Sequence, residues 1–468
     1  MFYHVANGYV FNNMMYNLSI GRYDVSLESI TNEAFFRDGK YYAYFGMFCA
    51  IIRAPLLVIG GIKTIDVTSL STAVAACVSL VMRVDAASYG LRCVRNAQAS
   101  AAFSVLILLA VAASGQSIQF LKPSIYQEVA SWADAVSMSF VNIAMRVILS
   151  EEASMKRYAG MALLAGLGLN CKFDFGLGLC VAFIFLASVR LLGVAGRVPP
   201  RLEARRLLPA GVLLSGLVGA CLWVNYQRWG NAFTFIPLRL QFEAVAAFPD
   251  RLVRLNTLGE FNLRRVPFAL QYYFFPVWQF RDHSGTLIFQ EFQVRMFDIV
   301  ELPPSSILLS DSATIMLAIF GVARTVRLSI VDRNVAAVAV AGGLVVPALL
   351  MLGAIACTFR YRMEFYPIIF FLAALGIGEA VQRKPEGWTV IVLALAVFVS
   401  AISAGVGRDL YLMSPWGSLT DMVAPHGWVG VYRDKQSGRE VRYRGHLLPG
   451  GRLIPMRPQS ASTAKTTF

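Results

Sequence analysis

Thr358-Phe359-Arg360-Tyr361-Arg362-Met363-Glu364-Phe365-Tyr366-Pro367 is the stretch on which the fold turns. It separates two apolar runs, 335–357 and 365–381, each about long enough to cross a bilayer. Arg360, Arg362 and Glu364 are thereby charges held at a membrane boundary. An arginine at a helix centre costs about 2.5–3.5 kcal/mol on insertion scales, so arginines placed there either have a job or snorkel to water. The positive-inside bias draws Arg and Lys to cytoplasmic loops. The topology derived below sets this turn on the other face, and that conflict makes it the strongest functional clue in the chain.

The rest of the chain has the same character. Of 468 residues, 57% are hydrophobic and 15% charged, where a soluble domain carries about 25% charge. Unbroken apolar runs such as 335–357 and 388–406 have no soluble explanation. The expected fold is all-α, a polytopic transmembrane helix bundle of about 10–11 spans with an extracytoplasmic loop subdomain. The net charge of +14 comes mostly from arginines between apolar runs, which reads as loop anchoring and gives no call for nucleic acid. The seven cysteines lie in or beside apolar runs without a CxxC pair, so neither a disulfide framework nor a metal site is expected. His4, His283, His426 and His446 are scattered, against a zinc centre. No P-loop, GxSxG or post-strand GxGxxG is present, which disfavours an ATPase, a serine hydrolase or a Rossmann dehydrogenase.

Residues 1–65 read as a first extracytoplasmic loop ending in a juxtamembrane helix at 45–62, where Arg53-Ala54-Pro55 interrupts the apolar run. Residues 66–225 read as a helix bundle, with spans near 66–82, 99–115, 126–148, 159–170, 173–192 and 207–225. Alternate loops are basic and hence cytoplasmic. Residues 226–308, with eight bases and seven acids, suit an extracytoplasmic subdomain. Its aromatic run 272–278 reads as lying on the membrane surface. Spans near 309–326, 335–357, 365–381 and 389–406 follow, with Arg383-Lys384 on the cytoplasmic side. A tail at 407–468 completes the chain, its last dozen residues of disordered composition. An N-terminus on the outer face needs a translocation signal, which a first helix upstream of Met1 would supply.

Several stretches resemble the GT-C class of polytopic glycosyltransferases, with the protein-mannosyltransferase and aminoarabinose-transferase-like members as the nearest likeness. Asn17-Leu18-Ser19-Ile20-Gly21-Arg22-Tyr23-Asp24 resembles "L-x-x-G-R-x-D". Arg37-Asp38-Gly39-Lys40-Tyr41-Tyr42-Ala43-Tyr44-Phe45-Gly46 with Ala54-Pro55-Leu56-Leu57 resembles "D-G-K-Y-Y-x-Y-F-G-P…P-L-L", Met47 replacing the proline. Ser124-Ile125-Tyr126-Gln127 to Ala130 resembles "V-Y-x-E-A". Asn225-Tyr226-Gln227-Arg228-Trp229-Gly230-Asn231-Ala232-Phe233 resembles "N-Y-x-R-F-G-N-P-F", and Arg360-Tyr361 with Phe365 and Pro367 resembles "R-Y-x-x-x-F-x-P". The order and spacing of these motifs cover most of residues 10–380. The resemblance implies an enzyme of the bacterial inner membrane with its active face outward. It would transfer a sugar from a polyprenyl-phosphate donor to a glycan, lipid or protein acceptor.

Such a transfer needs a carboxylate for the acceptor and cations for the leaving phosphate. Arginine suits the second task, because its planar fork gives bidentate, charge-assisted hydrogen bonds. Arg360 and Arg362 are the candidate phosphate ligands, Arg360 first. The plainer reading is that both snorkel to headgroups. The resemblance puts the catalytic acid ahead of the "L-x-x-G" stretch, where this chain has Ala6 and Asn7. Asp38 and then Asp24 are the candidates that remain, each equally readable as a solvated turn former. Glu128, Tyr361 and Lys40 are further outer-face candidates. Asp174 reads as a partner for Lys172. No cofactor is called for, and a divalent metal stays open. Two other readings compete: a secondary transporter or lipid-linked-sugar flippase, and a catalytically silent relative. A transporter expects charges within its spans, and here the span interiors read as almost charge-free.

Overall fold

The structure is a computed structural model. It describes residues 8–30, 33–93, 101–150, 154–195, 198–241, 249–276, 292, 295–300, 303–382, 387–413, 428–433, 440–447 and 453–455. The expectations placed on Ala6 and Asn7, on Val277 and Trp278, on Arg383-Lys384 and on the last dozen residues fall outside the described residues.

Ten helices build a bundle, and each coincides with one expected span. They are α1 Thr68–Arg92, α2 Ala101–Ala112 (prolonged by a 3-10 turn, Gly115–Phe120), α3 Ile125–Leu149, α4 Met155–Cys171 and α5 Phe173–Leu191. Then come α6 Pro200–Trp229, α7 Ser312–Ile330, α8 Ala336–Gly353, α9 Tyr366–Gln382 and α10 Gly387–Met413. Nine of them, all but α4, are long and apolar enough to cross a membrane among the described residues. At 1.5 Å per residue, α1 and α3 each run about 37 Å, more than a hydrocarbon core needs. The chain is an integral membrane protein.

α3 and α9 are the most buried helices, and α6 and α10 show most of their apolar surface to the outside. Helices in lipid gain nothing from apolar burial alone, so small residues that let backbones touch decide their pairing. α7 and α9 show this. A Cβ on Gly321 would stand 1.8 Å from the Leu372 carbonyl oxygen, and one on Gly376 would stand 1.9 Å from that of Leu317. In α8, Pro347 removes a helical donor and the helix breaks at Val345.

Before the bundle come the helix Val10–Ser19 and a hairpin of β1 Phe35–Arg37 with β2 Lys40–Tyr42, in which Arg37 pairs Lys40 across a two-residue turn. Asp38 (φ 50°) and Gly39 (φ 75°) supply that turn, the left-handed pair that two-residue hairpins require. The expected juxtamembrane helix is two short pieces, Phe48–Ile51 and Ala54–Val58, too short to span. Its Arg53 is not interfacial: it is 1% exposed and grips Glu128 at the start of α3 with 2.6 and 2.8 Å hydrogen bonds.

Two further expectations are corrected by burial. The first span does not stop at 82 but continues to Arg92, which puts Arg83 inside the bundle, close to the buried Asp134. The span interiors are therefore not charge-free. The aromatic run of the long connection does not lie on a membrane surface where it is described. Tyr272 and Tyr273, in the helix Val266–Phe274, are fully buried, with Tyr273 and Phe365 ring centroids 4.9 Å apart.

Candidate active site

Charged contacts sort the bundle into two ends. At one end, arginines near helix ends meet acids from neighbouring helices: Arg146, in the last turn of α3, with Asp85 at 2.6 Å, and Arg324 and Arg327, which the sequence places on the cytoplasmic side, each with Glu379 at 3.8 Å. The first loop, the start of α3, the α4–α5 joint, the end of α6 and the 358–367 turn all meet at the other end. These elements enclose a cavity of about 240 Å³, room for roughly one sugar ring, with mainly apolar and aromatic walls.

Lys172 is the joint between α4 and α5. Its extended backbone (φ −145°, ψ 119°) separates two helices that would otherwise run on, and this turn aims Lys172 and Asp174 into the cavity. The Lys172 ammonium donates to Asp174 at 2.7 Å and also to Glu364 across the cavity wall. Burial opposes the ammonium charge, but the two carboxylates outweigh it and raise its pKa, so Lys172 stays charged. The ammonium also lies 5.4 Å from the Tyr361 ring centroid. Burial pushes the Tyr44 hydroxyl, on the same cavity, far above the usual tyrosine range, so it remains a neutral donor.

The 358–367 turn enters as a 3-10 helix, Phe359–Phe365. Successive residues there step by about 120°, so Arg360 and Arg362 face different ways. The Arg360 guanidinium lines the cavity, half-buried, 4.2 Å from the Tyr126 ring centroid and 5.6 Å from that of Tyr361. Arg362 is fully buried away from the cavity. It bonds Asp311 at 3.1 Å, Ser310 at 2.7 Å, Ser305 at 2.7 and 3.1 Å, and Tyr366 at 3.2 Å. Asp311 in turn accepts from Ser114 at 2.5 Å and from the Gly115 amide at 3.0 Å. Arg362 has no free donor to offer a lipid phosphate beyond its buried Nε. The reason is the company it keeps: a carboxylate 51 residues away claims it.

The other candidates separate in the same way. Tyr361 lines the cavity; Asp38 and Asp24 do not. Asp38 sits at the hairpin tip, with a side chain 75% exposed and paired to Arg37 at 3.0 Å. Asp24 is buried at the foot of the first loop and accepts from Arg22, which holds its carboxyl below the usual range. Lys40 is exposed beside the hairpin turn. Glu128 is consumed by Arg53. The acids that approach the cavity are Asp174, Glu364 and, beside Tyr126, Glu33. Asp174 was legible in the sequence only as a partner of Lys172, and the role of Glu364 depends on a contact 192 residues long.

The second half of the "N-Y-x-R-F-G-N-P-F"-like stretch is a helix end. Gly230 takes the left-handed conformation (φ 70°) that closes α6, and Asn231 Oδ1 accepts from the Phe233 amide at 2.9 Å. Its Arg228 reaches back to the first loop, donating to the Phe45 carbonyl at 2.7 Å.

Among the described residues, no group of three or more His, Cys, Asp or Glu side chains could hold a metal. No family model matches the chain, and no curated protein matches it. Solved structures of the Archaeoglobus fulgidus oligosaccharyltransferase do resemble it. The apo form is 14% identical with a TM-score of 0.47, over 86% of this chain and 51% of that one. The complex with zinc and sulfate is 13% identical with a TM-score of 0.48, over 86% and 48%. The chain spans about half the length of these structures.

Proposed function

We propose that this protein is a membrane glycosyltransferase of the GT-C kind, which takes a sugar from a polyprenyl-phosphate donor and passes it to an extracytoplasmic acceptor. One observation carries the reading: a sugar-sized, aromatic-walled cavity at one end of the bundle holds both an arginine and an ion-paired carboxylate. The donor's apolar tail would stay among the spans while its phosphodiester meets Arg360. Asp174 takes the place first considered for Asp38 and Asp24, because it lines the cavity and they do not.

Asp174 removes the proton from the acceptor's nucleophilic hydroxyl or amide as that atom bonds the anomeric carbon. The bond from that carbon to the phosphate oxygen breaks, and Arg360 holds the charge left on the polyprenyl phosphate. Lys172 fixes the orientation of Asp174 and donates to Glu364 as well. Tyr44 and Tyr361 offer ring surfaces for the sugar.

A transporter places its site near the bilayer midplane, whereas this cavity lies among helix ends. The cleanest test is chemical. Purified protein in liposomes, given a synthetic polyprenyl-phosphate hexose and a glycan acceptor, is expected to release polyprenyl phosphate and to form the glycosylated acceptor. Movement of intact donor between leaflets without cleavage would instead establish a flippase. Sidedness has its own test. In a cysteine-free background, a cysteine at exposed Asp38 is expected to label from outside the cell, and one at exposed Arg201 only after permeabilisation.

A further inference from the structure

Arg228 belongs to the cavity, yet the reaction above leaves it without work. It is 2% exposed and lines the cavity wall. Its donors meet the Phe45 carbonyl at 2.7 Å and the Met47 thioether at 2.7 Å, and Nε has no partner among the described residues. No carboxylate of the described residues lies within ion-pair distance of it.

A second buried arginine shows what a purely structural guanidinium looks like here. Arg265, fully buried, places its donors on four backbone carbonyls, those of Met296, Glu260, Gly353 and Gly259, at 2.8 to 3.2 Å. Arg362 and Arg53 are charge-paired with Asp311 and Glu128. Arg228 alone among these four has a donor left over beside a cavity and only neutral partners. The Arg228 carbonyl accepts from Arg37 at 3.1 Å, a guanidinium whose own charge is paired with Asp38. A buried cation without a counter-charge is expensive unless an anion arrives to meet it.

We propose that Arg228 forms an anion subsite in this cavity, separate from Arg360, that takes a second phosphate or carboxylate group of the bound substrates. The proposal rests on the glycosyltransferase reading only for the identity of those substrates. The group has two possible sources: a second phosphate on the donor, as in a polyprenyl diphosphate, or an acidic acceptor sugar.

Binding to the full-length protein in nanodiscs separates them, with polyprenyl monophosphate, polyprenyl diphosphate of equal chain length, and a hexose phosphate as probes. If the donor supplies the group, wild type prefers the diphosphate over the monophosphate by about 10- to 100-fold, and Arg228→Gln erases that preference. If the acceptor supplies it, the lipids bind alike and Arg228→Gln loses the hexose phosphate. Met47→Glu provides a second variant that keeps Arg228 in place. It sets a carboxylate against Nη2 and is expected to block the same anion. Arg228→Gln and Met47→Glu proteins that bind all three probes like wild type would overturn the proposal. Failure of wild type to bind either lipid would sink the donor reading instead, and the hexose phosphate arm would still decide on Arg228.

Discussion

Arg360 and Arg362 stand two residues apart on one 3-10 turn and meet opposite surroundings. Arg362 points into the bundle, where Asp311, two serines and Tyr366 fill its fork. Arg360 points into the cavity, flanked by the rings of Tyr126 and Tyr361. The same residue type on the same turn is a rivet in one case and a candidate ligand in the other. What separates them is their surroundings: Arg362 is sealed against the buried Asp311, whereas Arg360 lines a cavity between two aromatic rings. The contrast teaches that charge at a span mouth identifies a site only when the side chain reaches a cavity.

The sharpest way to break the comparison is to remove Arg362. Arg362→Ala leaves Asp311 charged and buried, a change that costs about 3–5 kcal/mol. Loss of folded, monodisperse protein is expected, measured by thermal unfolding in detergent. Normal stability in this variant would erase the distinction. Arg362→Met combined with Asp311→Leu tests the same knot from the other side. An apolar pair of similar volume is often tolerated where a half-broken ion pair is not. The double variant is expected to recover folding and to keep transfer activity.

Arg360→Gln should do the reverse, with melting unchanged and transfer reduced about 10²- to 10³-fold, the usual loss when one charge-stabilising donor is removed. Asp174→Asn is expected to lower the transfer rate by about 10²-fold or more while donor affinity stays near wild type. A rise in KM with unchanged kcat would reassign Asp174 to holding Lys172. The smallest effect belongs to Asp24. Its carboxyl is held below its unfolded value by Arg22, so its contribution to stability is present above that unfolded value and lost as pH falls through the folded one. Asp24→Asn should therefore melt slightly below wild type at pH 7, the gap closing below about pH 4.

The ten helices were legible from length and hydropathy, and each of those ten expected spans maps onto one helix, α8 with its break at Val345. The hairpin was not read in the sequence, although its Asp38 was readable as a turn former. The partners of the charges were not legible either. Arg53 with Glu128, Arg362 with Asp311, and Lys172 with Glu364 join residues 75, 51 and 192 apart in the chain. No local pattern marks such pairs, since helix packing alone decides which faces meet. Arg83 misled for a related reason: an arginine after an apolar run reads as the end of a span, whereas α1 continues to Arg92 and buries Arg83 within the bundle. Arg228 sat in a quoted motif without a role, because an unpartnered Nε becomes visible only when its neighbours are known.

The most direct measurement is saturation binding of a polyprenyl monophosphate to wild type and Arg360→Gln in nanodiscs, with melting temperatures taken on the same samples. The account predicts saturable binding to wild type and a loss of about tenfold or more in the variant at equal stability. Equal binding by two equally stable proteins would return Arg360 to the role of a headgroup anchor and remove the phosphate from this cavity.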